Sequence, residues 1–208
     1  AAVAGYRFAD EMVDVSAGIF NGDIDEAGED DEIDSFVAAV TVQPLDFVMA
    51  GVSYTSNLAS SDSFQEVVVD TDGSGELGPV NDLVGGWSAF VTVSFLERFK
   101  VIGEYTAALD EFEAGEVYDA GDTQKREPRA WNLEFGAMLI EDLELAVRYG
   151  GSDDGADFLP ETQYGAVLNW GIWSCNLALE YLHDEFEDNA LGVDQEADTV
   201  TAQLAVEF

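Results

Sequence analysis

The chain has 208 residues, enough for one domain, and carries 44 acidic side chains against 7 basic ones, a formal net charge of −37. Nucleic-acid binding is excluded, because a chain this acidic has no basic face with which to displace the counterions of a nucleic acid. Because 47% of the residues are hydrophobic, an intrinsically disordered acidic tail is excluded as well.

Apolar and polar residues alternate with a period of two through most of the chain, which indicates β-strands with one apolar face. Strands are predicted over residues 2–9, 12–20, 35–43, 47–56, 86–96, 99–109, 129–140, 143–151, 161–170, 176–187 and 199–208. The last strand is an amphipathic ribbon that ends on Phe208. An unpaired strand of this kind invites aggregation in water, whereas a terminal strand ending in Phe is typical of bacterial outer-membrane barrels.

The predicted connections alternate between short and long. The short ones are 10–11, 44–46, 97–98, 141–142 and 171–175, and the long ones are 21–34, 57–84, 110–128, 152–160 and 188–196. A β-sandwich with crossing connections would not sort its loops in this way. The pattern predicts a transmembrane up-and-down antiparallel β-barrel with short periplasmic turns and long extracellular loops.

Aromatic residues lie near the ends of the predicted strands, on the apolar face, where rings would meet lipid headgroups. They are Tyr6, Tyr54, Trp87, Tyr105, Trp131, Tyr149, Tyr164, Trp170, Tyr181 and Phe208. With eleven strands, the first and the last run in the same direction, although bacterial single-chain barrels normally have an even number. We therefore expect residues 1–208 to be a single outer-membrane β-barrel domain, the C-terminal part of a longer chain with twelve or more strands.

The opposite face of the predicted strands carries a mixed set of polar side chains that would line the barrel. The candidate channel-lining residues are Arg7, Asp14, Lys100, Glu104, Asn132, Glu134, Glu144, Arg148, Gln163 and Glu180. One interpretation is a small barrel filled by salt bridges of Lys100 and Arg148 with neighbouring glutamates. A barrel of more than eight strands is wider than its side chains can fill, which favours a water-filled channel.

One acidic loop has part of a calcium-binding pattern. Asp70, Asp72 and Ser74 carry oxygen ligands at the first, third and fifth positions of a calcium loop, and Gly75 stands at the sharp-turn position. Position twelve is Asn81 instead of a bidentate Glu, and no helices flank the loop, so a plain turn-rich loop is the alternative. The candidate calcium ligands, within the loop 70–81, are Asp70, Asp72, Ser74 and Glu76.

The sequence does not point to an enzyme. His183 is the single histidine, it is expected at a solvated strand end, and no nucleophile motif accompanies it. Cys175 is the single cysteine and is expected to be a packed or turn thiol. We predict no catalytic residue.

Several runs of the sequence are fairly specific. They are SAGIFNGD (16–23), SYTSN (53–57), GGWSAF (85–90), AWNLE (130–134), VRYGGSDD (147–154), LPETQYGAV (159–167), LEYLHDEFE (179–187) and DTVTAQLAVEF (198–208). With these runs the chain resembles, over nearly its whole length, the LbtU-like family of outer-membrane siderophore porins. The resemblance implies a β-barrel for uptake of an iron-chelating siderophore without a plug domain, in proteins that are usually longer at the N-terminus.

Together these observations predict a porin-like channel in the outer membrane of a Gram-negative bacterium. Small solutes, with ferric siderophore as a candidate, would pass through it passively. The alternative is a structural or surface-binding barrel whose acidic loops bind divalent cations or a partner without transport. The expected surroundings are outer-membrane lipid and lipopolysaccharide, which divalent ions would bridge to the acidic loops.

Overall fold

The residues that the structure describes form one antiparallel sheet of eleven strands, each paired with its neighbours in sequence order. The computed structural model describes residues 1–22, 24, 26, 33–65, 67–68, 80–118, 121–155, 158–187 and 195–206. The strands are β1 Ala2–Phe8, β2 Val13–Phe20, β3 Ser35–Leu45, β4 Val48–Thr55, β5 Gly86–Phe95, β6 Phe99–Ala108, β7 Arg129–Ile140, β8 Leu143–Asp153, β9 Thr162–Ile172, β10 Cys175–Phe186 and β11 Gln195–Val206. Within the described residues, β1 and β11 each have one strand partner, so the sheet is open.

All eleven predicted strands are confirmed, and the alternation of connections with them. Short turns join strands at one end of the sheet, the turn end, and long loops join them at the other, the loop end. Two predicted turns have bounds that differ from the structure. Pro44 lies inside β3, at a register irregularity between Val42 and Leu45, and the turn itself spans 46–47. A bulge is where proline is tolerated in a strand, because no ladder hydrogen bond is lost there.

The second of these turns is 171–175, of which only residues 173–174 remain a turn. β9 continues to Ile172 and β10 already begins at Cys175. Several of the short turns contain residues with positive φ, such as Leu96 at 53° and Glu97 at 54°. That backbone conformation matches the right-handed twist of a hairpin and lets the chain reverse within a few residues.

Helix is a minor feature of this fold. The described residues contain one short helix, α1 Asp62–Gln65, in the long loop between β4 and β5. Within the described ranges, no helix is both long enough and apolar enough to cross a membrane.

Most of the buried hydrophobic residues that the structure describes lie in the loops. Ile24, Leu58, Ala59, Val68, Val80, Val84, Ala108, Phe112 and Val117 form a hydrophobic core, which we call the loop cluster. They come from the first three long loops and the adjoining end of β6. The connections predicted over 57–84 and 110–128 are therefore more than solvated loops, since their scattered apolar residues pack together out of water.

Candidate functional site

The register of the sheet brings the candidate channel-lining residues onto one face. Directly opposed residues of antiparallel strands lie on the same side of a sheet. One row of opposed residues runs across ten strands through Arg7, Asp14, Thr41, Gly51, Phe90, Glu104, Asn132, Gly150, Gln163 and Asp184. A second row runs through Lys100, Gly136, Ala146, Val167 and Glu180.

Two further pairings complete the set. Glu134 opposes Arg148, and Met138 opposes Glu144. With the period of two along each strand, all ten candidates share this polar face. The structure thus places them together, while their role in lining a channel stays a prediction.

Exposure is inverted relative to a water-soluble sheet. On β7, the apolar-face residues Leu133 and Phe135 are 52% and 40% exposed. Asn132 and Glu134 between them are partly buried, and Gly136 is buried. Side chains on the concave side of a curved sheet converge and shield one another, whereas those on the convex side spread apart. The polar face is therefore the inner face, and the apolar face looks outward.

Glycines on the inner face make room for this convergence. A Cβ at Gly51 would lie 2.4 Å from a ring atom of Phe90, and one at Gly136 would lie 2.8 Å from the Glu144 carboxylate. A side chain at either position would have to displace its neighbour. The small residues let longer inner-face side chains lie across the wall.

Among the described residues, several inner-face side chains form polar contacts with one another, and two of these involve arginine. Arg7 Nε lies 2.6 Å from Asp14 Oδ2 near the turn end. On the same face of strands β8 to β10, the Arg148 guanidinium donates to Gln163 Oε1, and Gln163 Nε2 donates to the Asp184 carboxylate. Asp184 is only 9% exposed. This chain of hydrogen bonds holds the Arg148 side chain across β8, β9 and β10 and was not predicted from the sequence.

The inner face carries more negative than positive charge. Its strands present three basic side chains, Arg7, Lys100 and Arg148. Its acidic side chains are Asp14, Glu104, Glu134, Glu144, Glu180 and Asp184. Within the described part of the chain, Lys100 and Arg148 form no ion pair. The interpretation in which salt bridges of these two residues fill the barrel therefore has no support in the contacts.

The loop cluster is fastened to the sheet by buried polar groups. Asn57, 1% exposed, donates through Nδ2 to the Ile24 carbonyl at 2.8 Å, and its Oδ1 accepts from the Ser60 amide at 3.1 Å. Leu58 packs so close to Gly86 that a Cβ there would lie 2.9 Å from its Cδ1. Gly86 is on the inner face, opposite Thr55 and Ala108. Leu58, near the start of the connection between β4 and β5, therefore lies over the inner side of the sheet at the loop end.

A second tie joins three of the long loops. Arg126 Nε lies 2.6 Å from Asp122 Oδ2, and its NH1 lies 3.1 Å from Asp154 Oδ1 and 3.8 Å from Glu187 Oε2. Burial opposes ionisation of Asp122, but the Gln124 amide and the Arg126 guanidinium together hold the pKa of its carboxyl below the usual value. Arg126 thus links the connections after β6, β8 and β10 by ion pairs.

Aromatic rings line the outward face near the loop end. Tyr54 opposes Trp87, Tyr105 opposes Trp131, and Tyr149 opposes Tyr164. Ring centroids are 5.3 Å apart for Trp87 and Tyr105 and 5.1 Å apart for Trp131 and Tyr149. A second group, Phe95, Phe99 and Phe135, stacks towards the turn end at 5.2 and 5.9 Å. Two aromatic rows flanking an apolar band are the arrangement of a membrane-spanning barrel surface.

His183 and Cys175, which were considered for catalysis, do not lie on this inner face. His183 opposes Asp198 on the outward face, with Nδ1 2.9 Å from Asp198 Oδ1. Its side chain is only 12% exposed, so the expectation of a solvated residue is wrong. Cys175 is a free thiol at the start of β10.

Asp70, Asp72, Ser74 and Glu76 lie outside the described residues, as does Phe208. Among the residues that the structure does describe, no group of three or more His, Cys, Asp or Glu side chains is arranged to hold a metal ion. The calcium loop remains a prediction from sequence.

No family model matches the sequence, and no curated protein matches it. Among solved structures, the fold is similar to the outer membrane channel DcaP of Acinetobacter baumannii, with a TM-score of 0.60 and 15% identity over 97% of this chain. The chain spans 60% of the length of DcaP. A triple mutant of the Rhodopseudomonas blastica porin matches at a TM-score of 0.44 and 9% identity, covering 97% of this chain and 85% of that one.

The fold, an open antiparallel sheet with up-and-down connections, is thus similar to that of an outer-membrane channel barrel. An exposed apolar face bounded by two aromatic rows has a stable environment in lipid. The chain therefore belongs in a bacterial outer membrane.

Proposed function

We propose that this chain forms the wall of a porin-like channel through which small hydrophilic solutes diffuse passively. The observation that carries the proposal is the inverted sheet, with Leu133 and Phe135 exposed outward and Asn132 and Glu134 facing inward. Lipid covers an apolar outer face, and water fills the space next to a polar inner face. No catalytic step is required, and none is proposed.

The unpaired charges of the inner face support a water-filled lumen. Lys100 lies on the inner face and forms no ion pair with the described residues, and Glu134 and Glu180 form none either. Burying such charges in a dry core would cost several kcal/mol for each ion, by order of magnitude. Hydration in a lumen removes that cost.

We propose that the complete barrel is larger than the eleven strands seen here. β1 and β11 run in the same direction because the number of antiparallel strands is odd. Closing the sheet with antiparallel pairs throughout requires an odd number of additional strands. Such a barrel exceeds the eight strands that side chains can fill.

The charge of the wall favours cations over anions. Negative charge on the inner face is joined by acidic loops, one of which carries eight acidic and no basic residues over 21–34. Low-dielectric walls focus this field into the lumen and raise the local concentration of cations. Ferric siderophore, the solute implied by the family resemblance, is therefore proposed only as a neutral or cationic complex.

Planar-bilayer recording of the purified protein tests the channel. We expect discrete conductance steps in KCl, and under a salt gradient a reversal potential of the sign for potassium permeation. Replacing Glu134 and Glu180 together by Gln should lower the ratio of cation to anion permeability by roughly twofold or more. Replacing Glu97 and Glu141 together by Gln, which removes the same two charges from the turns 96–98 and 141–142, should retain most of that ratio.

Pure protein that inserts into bilayers without conductance steps would refute the channel. The rival function, a barrel that binds divalent cations or a partner at its loops without transport, would then gain support. Calcium titration of the same preparation, followed by calorimetry, separates this rival from misfolded material.

A further inference from the structure

One aromatic residue lies on the inner face away from the strand ends. Phe90 opposes Gly51 on β4 and Glu104 on β6, and its neighbours on the same face of β5 are Ser88 and Thr92. Among the described strand residues, Phe20 and Phe186 also share this face, but both stand at the loop end. An aromatic ring in the middle of a hydrated wall is not explained by lipid contact.

The Phe90 ring occupies space that is open because Gly51 has no side chain. A Cβ at Gly51 would lie 2.4 Å from Phe90 Cε1 and 2.9 Å from Cζ. The Phe90 ring therefore lies along the wall over Gly51, where any larger residue would displace it. Within the described residues the ring has no aromatic partner, so it is not part of an aromatic core.

A carboxylate that has no basic partner among the described residues stands next to this ring. Glu104 is directly opposite Phe90, which places the two Cβ atoms about 5 Å apart. The Glu104 side chain is exposed, and its contact is a long hydrogen bond of 3.4 Å from Asn132 Nδ2. Within the described chain no basic side chain pairs with Glu104. Its negative charge is therefore available to a solute.

Apolar side chains flank the pair on the turn side. Met49 and Ile102 both oppose Thr92, two residues along β5 from Phe90, and share the inner face. Together with the ring they offer an apolar surface beside a single negative charge. This combination attracts a cation through the ring face and the carboxylate, and favours an apolar substituent on that cation.

We infer that Phe90 and Glu104 form a luminal subsite for organic cations that carry an ammonium or guanidinium group beside an apolar or aromatic portion. The subsite rests on the proposed channel, since a permeating solute reaches it through the lumen. It would slow such cations on their way through the lumen and let the channel distinguish them from other cations of the same charge.

Benzyltrimethylammonium is a suitable probe because it combines a fixed positive charge with an aromatic ring. In single-channel recordings we expect concentration-dependent interruption of the KCl current by this cation, and none by the anion benzenesulfonate at equal concentration. Phe90→Leu and Glu104→Gln should each raise the half-blocking concentration about threefold to tenfold. Equal block of both variants and wild type would overturn the inference.

Matched controls separate the subsite from general effects. Phe95→Leu makes the same substitution on the outward face of the same strand, and Glu97→Gln removes a carboxylate from the adjoining turn. Both should retain wild-type block.

Calorimetric titration of the probe into detergent-solubilised protein gives a second measurement that does not require conduction. Conductance without block or binding would refute the subsite and would remain consistent with the channel. Binding that is lost in Phe90→Leu, from a protein without conductance, would keep the subsite and refute the channel.

Discussion

The effect of a single arginine substitution on stability can show whether lipid or water covers the apolar face. Val91 lies on the outward face of β5, is 41% exposed, and stands midway between Trp87 and Phe95 on that face. In a water-soluble sheet, exchanging a half-exposed valine for arginine would change the free energy of unfolding by about 0.5 kcal/mol or less. In a membrane-spanning barrel the same change places a charge in hydrocarbon.

The position of Val91 sets the expected magnitude. At a rise of about 3.3 Å per residue, each aromatic row is roughly 13 Å away along the strand. The two rows are then roughly 26 Å apart along the strand, or about 20 Å in height at a tilt of about 40°, close to the apolar band of a membrane barrel. Val91 is thus near the midplane, where an arginine on the lipid face costs about 2–4 kcal/mol.

The assay is equilibrium unfolding by denaturant of protein folded into lipid vesicles. Val91→Arg should lower the free energy of unfolding by about 2–4 kcal/mol, whereas Thr92→Arg, the next residue and on the inner face, should change it by about 1 kcal/mol or less because water solvates the charge. Equal costs for the two variants, or no cost for Val91→Arg, would refute the assignment of the faces.

Three further predictions concern packing and loops. Gly51→Ala should lower the free energy of unfolding by about 1–3 kcal/mol because the ring over it must move, whereas Gly103→Ala, whose Cβ would meet its nearest atom at 3.5 Å, should be nearly neutral in the same vesicle assay. Asn57→Ala should leave the Ser60 amide unpaired and remove the shorter of two hydrogen bonds to the Ile24 carbonyl, the other being donated by the Ser60 hydroxyl. It should therefore speed hydrogen exchange of the loop cluster about tenfold or more; unchanged exchange would contradict its anchoring role. Since the pKa of Asp122 is lowered on folding from its usual 3.8, its contribution to loop stability is present above that pH and is lost as the pH falls through the folded value. Pepsin cleavage around residue 122 should therefore rise as the pH is lowered below about 4, while Asp122→Asn should be cleaved readily at higher pH as well; a flat profile in the wild type would count against the tie to Arg126.

The strands and the faces could be predicted because their signals are local. The alternation in β7, from Trp131 through Phe135, and in β11, from Val200 through Val206, is set by side chains pointing to opposite faces of a strand. A register shift of one residue would exchange lipid-facing and water-facing sets, so this alternation also fixes strand pairing. Pro44 misled the turn assignment because a bulge and a turn both tolerate proline.

The chemistry of the inner wall was only partly predictable. Period-two parity assigns Glu180 and Asp184 to one face, yet it does not show that Asp184 is held by Gln163, which comes from another strand. Phe90 is assigned to the same face as Ser88 by the alternation along β5. The sequence does not show that Phe90 belongs to a binding site, because its neighbours Gly51 and Glu104 come from other strands.

The eleven strands, their two faces and the alternation of short turns with long loops can be derived from the sequence, because each depends on residues a few positions apart. The packing of the long loops, the ion pairs of Arg126 and the contacts among inner-face side chains are seen only in the folded chain. Phe112 and Ile24, far apart in the chain, share one buried cluster. Their burial depends on contacts among separate loops, for which no period exists in the sequence.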